Sequence, residues 1–268
     1  MGNKTSSLSL EFRLSLASTA AIAATAWGFF YKLESERLRR ALLQSSTLTP
    51  PSNENTRPQK VVLIYFDIPG KGECIRLALK HGNIPFEDRR VKKFDDEQLK
   101  STLTFGQLPC LRLEEGTNEE VSICQSAAIL RYIGTFTGLY PKDAAVAALV
   151  DSIMDFEGDA FQGFRTVRYN YRFGLDVDGG DEEYFARCKA KQNKEIIPAQ
   201  LKKLECVLEQ SSTGWLADTQ EPTIADFFWV PTLQSLIRSD NPWTGNANIL
   251  LPFPHILGLI EKFEGMTQ

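Results

Sequence analysis

Histidine is nearly missing from this chain of 268 residues, with only His81 and His255. Imidazole-based triads and multi-histidine metal sites therefore have little to work with, and no metal is expected. Cysteine is sparse too. The five, at positions 74, 110, 124, 188 and 206, form no C-x-x-C pair, and their number is odd. This argues against a disulfide framework or a structural zinc module, and for a reducing compartment. Positive charge is not in excess: 30 Lys and Arg stand against 34 Asp and Glu, a net charge of −4. A nucleic-acid binder normally shows a basic face, so no nucleic acid is expected as a partner. What is present is ordinary for a globular chain: 43% apolar and 24% charged residues, which argues against wholesale disorder. The length allows one large or two small domains.

One long uncharged run stands out, Leu14 to Tyr31, of 18 residues. As a helix it would reach about 27 Å, just short of the ~30 Å hydrocarbon core of a bilayer. Trp27 and Tyr31 near one end suit a membrane interface. Lys4 and Arg13 precede the run, and Lys32, Arg37, Arg39 and Arg40 follow it. The positive-inside rule then places the following domain in the cytoplasm. Residues 1–43 are thus expected to be a membrane anchor or targeting segment with a basic flank. Other readings compete. Ala24-Thr25-Ala26 fits a signal-peptide cleavage site. An organellar presequence is a further option, with Glu11 against it. Gly2 and Ser6 match a myristoylation pattern. Residues 44–59, QSSTLTPPSNENTRPQ, read as a flexible or extended tether.

A compact unit follows. Residues 61–66, VVLIYF, predict a buried strand, DIPGKG a turn, and ECIRLALKHGN a helix ending at Gly82. FEDRRVKK, LPCLRLEE and EVSICQ read as strands, DDEQLKSTL as a short helix, and SAAILRYIGTFTG as a helix capped at Gly138. The order βαβαββα over residues 60–141 is an α/β pattern. Residues 142–268 then read as all helix, over 143–165, 181–210, 223–237 and 253–263, with apolar residues three and four apart. Thr223-x-x-Asp226 is a capping box. Gly70-x-Gly72 is too short and misplaced for a nucleotide loop. Cys74 reads as a small buried residue.

Four motifs, in this order and spacing, carry a resemblance: YFDIPGKGECIRLAL, STLTFGQLPCL, ICQSAAILRYI and TIADFFW. Residues 61 to about 265 resemble the cytosolic-type glutathione transferases, closest to the sigma class, which includes the glutathione-dependent prostaglandin D synthases. The resemblance covers none of the first sixty residues. It implies a thioredoxin-like domain followed by a helical bundle domain, glutathione as co-substrate, an electrophilic or lipid second substrate, and a homodimer.

By that resemblance Tyr65 donates a hydrogen bond to the glutathione sulfur. A free thiol has a pKa near 8.5, and lowering it by ~2 units needs about 2.7 kcal/mol. One charge-assisted hydrogen bond is worth about 1.5–3 kcal/mol, so a phenol can supply most of it. The alternative is a strand-end Tyr in the core. The resemblance also implies a cis bond at Leu108-Pro109, turning the Leu108 backbone to pair with the tripeptide as an added strand. Gln125 and Ser126 stand at a helix N-terminus, which suits the γ-glutamyl carboxylate; an ordinary Ser N-cap is the other reading. Lys100 matches a Lys that meets the glycyl carboxylate, against a solvated surface Lys. Asp159 matches an acid that reaches the γ-glutamyl amine across a dimer interface. Phe66 and Phe161 align with walls of the second-substrate pocket, or are core residues. Three positions depart from the family pattern: Asp96 replaces a Trp, Gln107 a basic residue and Lys71 an Arg. They imply weaker glutathione binding or a different contact set. The C-terminus also stops early for the family, implying a more open pocket. Two functions are therefore carried forward. One is a Tyr-type transferase that conjugates electrophiles, or isomerises or reduces lipids. The other is a non-catalytic ligand-binding or scaffold domain tethered to a membrane.

Overall fold

The computed structural model describes residues 58–92, 97–175, 182–238, 246 and 248–267. The expected anchor over 1–43, nearly all of the expected tether and Asp96 lie outside them. Four strands form one sheet: β1 Val61–Phe66, β2 Glu87–Val91, β3 Cys110–Leu113 and β4 Val121–Cys124. The order is β2-β1-β3-β4, with β1 parallel to β2 and antiparallel to β3, and β3 antiparallel to β4. Helices α1 Gly70–His81, α2 Glu97–Ser101 and α3 Ser126–Thr137 complete a thioredoxin-like half. The helical half holds α4 Ala144–Arg168, α5 Glu182–Lys191, α6 Ile197–Glu209, α7 Ile224–Ile237 and α8 Pro254–Thr267.

The apolar run of β1 is explained by burial on both faces. Val61 and Leu63 pack with α1 and α3 into the main core, while Val62 and Ile64 pack on the other side with Leu103, Cys110 and Cys124. The main core continues without a break into the helical half through Phe227, Trp229 and Phe263. The edge strand β2 is charged and partly exposed, as edge strands tend to be.

Local chemistry sets the helix ends. Asp143 accepts from the N–H groups of Ala145 and Val146 to start α4. Thr223 and Asp226 close the expected capping box on α7. Glu205 of α6, itself buried, accepts from the N–H groups of His255 and Ile256 and so caps α8. Several boundaries differ from expectation, among them the end of α8, expected at 263 and found at Thr267. The helix of 181–210 is interrupted by a π segment, Gln192–Ile196. The helix expected to end at 165 runs on to Arg168. And α1 starts at Gly70, so the glycines read as a turn are its first residues.

The expectation of an enzyme held on a membrane is corrected. Among the described residues no helix is long and apolar enough to cross a bilayer, and the stretch that carried the expectation, 14–31, is not among them. The physical reason is plain in the two strongest helices. α4 has the length at 25 residues but carries Asp151, Asp155, Glu157 and Asp159 along it. α7 is apolar but has 14 residues and an internal Pro231, a reach of about 21 Å against ~30 Å.

Candidate active site

β1 delivers Tyr65 near the C-terminal end of the strand, on the same side of the sheet as Val61 and Leu63, facing α1. The ring is buried, 7% exposed. Two glycines make room for it. A Cβ on Gly72 would stand 2.4 Å from Tyr65 Cδ1, and one on Gly70 would stand 2.6 Å from the phenol oxygen. Gly70 also has φ +43°, a conformation that side-chain-bearing residues rarely adopt. The glycine pair set aside as a nucleotide motif is thus the cradle of the tyrosine. Arg76 of α1, also buried, fixes the intervening loop by donating to the carbonyls of Phe66 (3.3 Å) and Ile68 (3.1 Å) while pairing with Asp88.

The phenol oxygen accepts a hydrogen bond from Lys71 N–H at 2.9 Å. Its own proton is therefore left to donate elsewhere. Burial raises the phenol pKa above its ordinary value, outweighing the opposing Lys71 N–H. At neutral pH Tyr65 is then a neutral O–H donor. Cys74 is no rival nucleophile: it is buried, and burial pushes its thiol up to about 12.

Tyr65 opens on a cleft of about 1010 Å³. Most of the sequence-derived positions meet there. Phe66 and Lys100 line it, as do Gln107, Leu108 and Pro109. The Leu108-Pro109 bond is cis. Gln125 and Ser126 form another part of the wall, and Gln125 Nε2 donates to Gln107 Oε1 at 3.1 Å. Ser126 is not an N-cap: Gln125 holds that position, with φ 74°, and makes no capping side-chain bond. The first N–H groups of α3 thus stand at the cleft without a side-chain cap from Gln125. Such a positive φ at a non-glycine residue costs on the order of 1–3 kcal/mol and tends to cluster at functional sites.

Lys71, Asp159, Phe66 and Phe161 do not all stand at one cavity. Lys71 lines the cleft, but its ammonium is bonded to Glu157 at 2.8 Å and lies 4.1 Å from the Phe228 ring centroid. Asp159 is exposed and is not part of this chain's cleft wall; Asp155 is the α4 aspartate there. Phe66 and Phe161 do not share one pocket. Phe161 borders a smaller hollow of about 190 Å³ that also touches Tyr65.

Sequence reasoning missed Glu157. It is 3% exposed and pairs with both Lys71 and Arg165. Burial alone would raise its pKa, but the two cations outweigh burial and hold the carboxyl below its ordinary value. A signal existed: Glu157 falls on the apolar stripe of α4 with Val150, Ile153, Met154, Ala160 and Phe161, where an acid needs a partner. Among the described residues no group of His, Cys, Asp or Glu is arranged to hold a metal ion.

Comparison with known proteins agrees with this fold. Residues 61–135 match the glutathione S-transferase N-terminal domain, and residues 178–268 the glutathione S-transferase C-terminal domain. Glutathione S-transferase 1 of Ascaris suum is 40% identical over 178 residues, covering 65% of this chain and 78% of the relative. Hematopoietic prostaglandin D synthase of Gallus gallus is 27% identical, covering 76% of this chain and 90% of its own. The crystal structure of the glutathione S-transferase from Ascaris lumbricoides superposes with a TM-score of 0.59 at 30% identity, covering 77% of this chain and 92% of that one.

Proposed function

The chain belongs to the glutathione S-transferase family, and on that premise we propose that Tyr65 activates the glutathione thiol for attack on a lipophilic electrophile. Glutathione is the family's co-substrate. The observation that carries the reading is the Tyr65 hydroxyl: buried, held neutral, its oxygen already accepting from Lys71 N–H, and its proton available at the cleft. The thiol proton leaves to solvent, and the resulting thiolate accepts the Tyr65 O–H. The sulfur then bonds to the electrophilic carbon, and the leaving group departs with the electron pair of the bond that breaks.

The tripeptide lies along the cleft. The Leu108 backbone pairs with it as an added strand. The N-terminus of α3 at Gln125 and Ser126 receives the γ-glutamyl carboxylate, and Lys100 receives the glycyl carboxylate, with Gln107 beside it. Lys71 contributes its backbone N–H to Tyr65, while its ammonium serves Glu157. Phe66 and Phe161 offer apolar surface to the second substrate. The sigma class is favoured by the sequence motifs, and the prostaglandin D synthase relative makes lipid substrates part of this reading. We also read the chain as a homodimer, in which exposed Asp159 faces the partner's cleft; Phe105, 63% exposed beside this cleft, is the apolar group a second subunit would cover.

The test is conjugation of glutathione to an activated aryl chloride, with Tyr65→Phe beside the unaltered chain. Loss of one charge-assisted hydrogen bond lowers kcat/KM at neutral pH by roughly 10- to 100-fold and moves the rising limb of its pH profile up by about two units. Equal rates in both proteins would remove Tyr65 from the mechanism. Retention on immobilised glutathione without turnover would make the domain a binding module.

A further inference from the structure

Two of the cysteines are brought face to face by the sheet. Cys110 opens β3 and Cys124 closes β4, and the antiparallel register sets them directly opposite each other. Both side chains lie on one side of the sheet, in the small cluster with Val62, Ile64 and Leu103. Cys124 is a side-chain hydrogen-bond partner of Cys110, and both are free thiols. Directly opposed residues have Cα atoms about 4.5–5.5 Å apart, inside the ~4.4–6.8 Å that a disulfide spans. The pair can therefore be joined without remaking the sheet.

Both cysteines adjoin the cleft along the chain. Cys110 follows Pro109 and Cys124 precedes Gln125, and Leu108, Pro109, Gln125 and Ser126 are cleft wall. The two segments already touch where Gln125 Nε2 donates to Gln107 Oε1. A bond between the sulfurs draws the Cβ atoms from about 4.5–5.5 Å to about 3.8 Å, and each wall segment is one peptide away from that shift. β4 is an edge strand, with Val121 exposed and Ser122 and Ile123 half-buried. Edge strands open locally at low cost, which admits a small oxidant from this side. Burial, and then the neighbouring Cys124, push the Cys110 thiol above its ordinary pKa. Thiolate is scarce, so the pair oxidises slowly and answers sustained exposure.

We propose that Cys110 and Cys124 form a reversible redox site: a hydroperoxide closes them into a disulfide, glutathione reopens it, and the closed form binds glutathione more weakly in the adjoining cleft. The last part rests on the reading of that cleft as the glutathione site. The Cys124 sulfur, on the edge strand, takes one oxygen as the peroxide O–O bond breaks, giving a sulfenic acid and an alcohol. The Cys110 sulfur then attacks the Cys124 sulfur. The S–S bond forms and the oxygen leaves as water. The protein gives up two electrons and two protons, and the hydroperoxide takes them up. Two glutathione molecules reverse the change by thiol exchange and leave as glutathione disulfide.

The test treats the full chain with hydrogen peroxide, alkylates the remaining thiols and maps the peptides by mass spectrometry. A Cys110–Cys124 disulfide that glutathione removes is expected. Calorimetry then reads glutathione binding to the reduced and oxidised forms. Affinity should fall roughly fivefold or more on oxidation, the worth of one lost hydrogen bond, and return on reduction with dithiothreitol. Cys124→Ala and the volume-conserving Cys110→Val should each abolish the response to peroxide. The comparison of oxidised and reduced unaltered chain holds even where a substitution costs folding. Oxidation of Cys188 and Cys206 while Cys110 and Cys124 remain thiols would overturn the proposal. So would a mapped disulfide with unchanged glutathione affinity, or a loss of affinity that persists in folded Cys124→Ala. A reduced chain with no affinity for glutathione would overturn the reading of the cleft and the coupling with it, and a mapped, reversible disulfide would then uphold the redox site alone.

Discussion

Tyr65 has to be tightly packed and still keep a free proton, and its neighbours are chosen by that pair of demands. Gly72 is the sharper constraint, because an added Cβ would meet the ring carbon itself at 2.4 Å. Gly72→Ala is expected to displace the ring and lower conjugation at least tenfold, with a stability loss of about 1–3 kcal/mol from overpacking; a crystal structure of the variant would show the shift. Glu157 is the second residue with a sharp consequence. Glu157→Gln leaves Lys71 and Arg165 without the charge they share. Each of those partners is about one-third exposed, so the cost is expected near 2–3 kcal/mol, below the ~3–5 kcal/mol of a fully buried broken pair. The pH dependence follows from the lowered pKa of Glu157. Its contribution is fully present above the ordinary glutamate value near 4.5 and is lost as pH falls through the lower folded value. Urea midpoints measured from pH 7 to pH 3 should fall less steeply below pH 4.5 in the Gln variant than in the unaltered chain.

Among the elements, α7 shows how a local signal and a tertiary contact combine. Its start was legible as Thr223-x-x-Asp226, and both halves of that box form. Asp226 does more than the motif requires: it also accepts from Leu216 N–H at 2.9 Å, tying the preceding loop to the helix. Thr223→Ala is therefore expected to cost about 1 kcal/mol, an ordinary cap, and Asp226→Ala clearly more, because a buried N–H loses its acceptor as well. Similar urea midpoints for the two variants would show that the loop bond carries nothing. The π segment at Gln192–Ile196 had no such signal. Its residues, QNKEI, are ordinary helix formers, and it lies where Gln192 is pressed against Gly163 of α4. That contact joins residues far apart in the chain, beyond the reach of periodicity.

At the scale of the molecule, one apolar core runs from β1, α1 and α3 into α4, α6, α7 and α8. The two halves share side chains, and the Trp229 Nε1 to Ile153 carbonyl bond ties α7 to α4 inside that core. The compact unit is accordingly expected to unfold in urea as a single transition. Tryptophan fluorescence would follow the helical half, and alkylation of buried Cys74, mapped by mass spectrometry, would follow the sheet half. Separated midpoints would mean two independent units. The sequence by itself determined the βαβαββα order and the helical half, because these rest on periodicity and turn signals that act within a few residues, while Tyr65, Leu108-Pro109 and Gln125-Ser126 were legible as candidates only through motifs shared with a family. Only the tertiary structure decided that Gly70 and Gly72 cradle the tyrosine, that Lys71 turns to Glu157, and that Phe66 and Phe161 border separate hollows. Those facts depend on which side chains meet across long stretches of chain, and a buried charge or a close-packed glycine takes its meaning from the neighbour that folding brings to it.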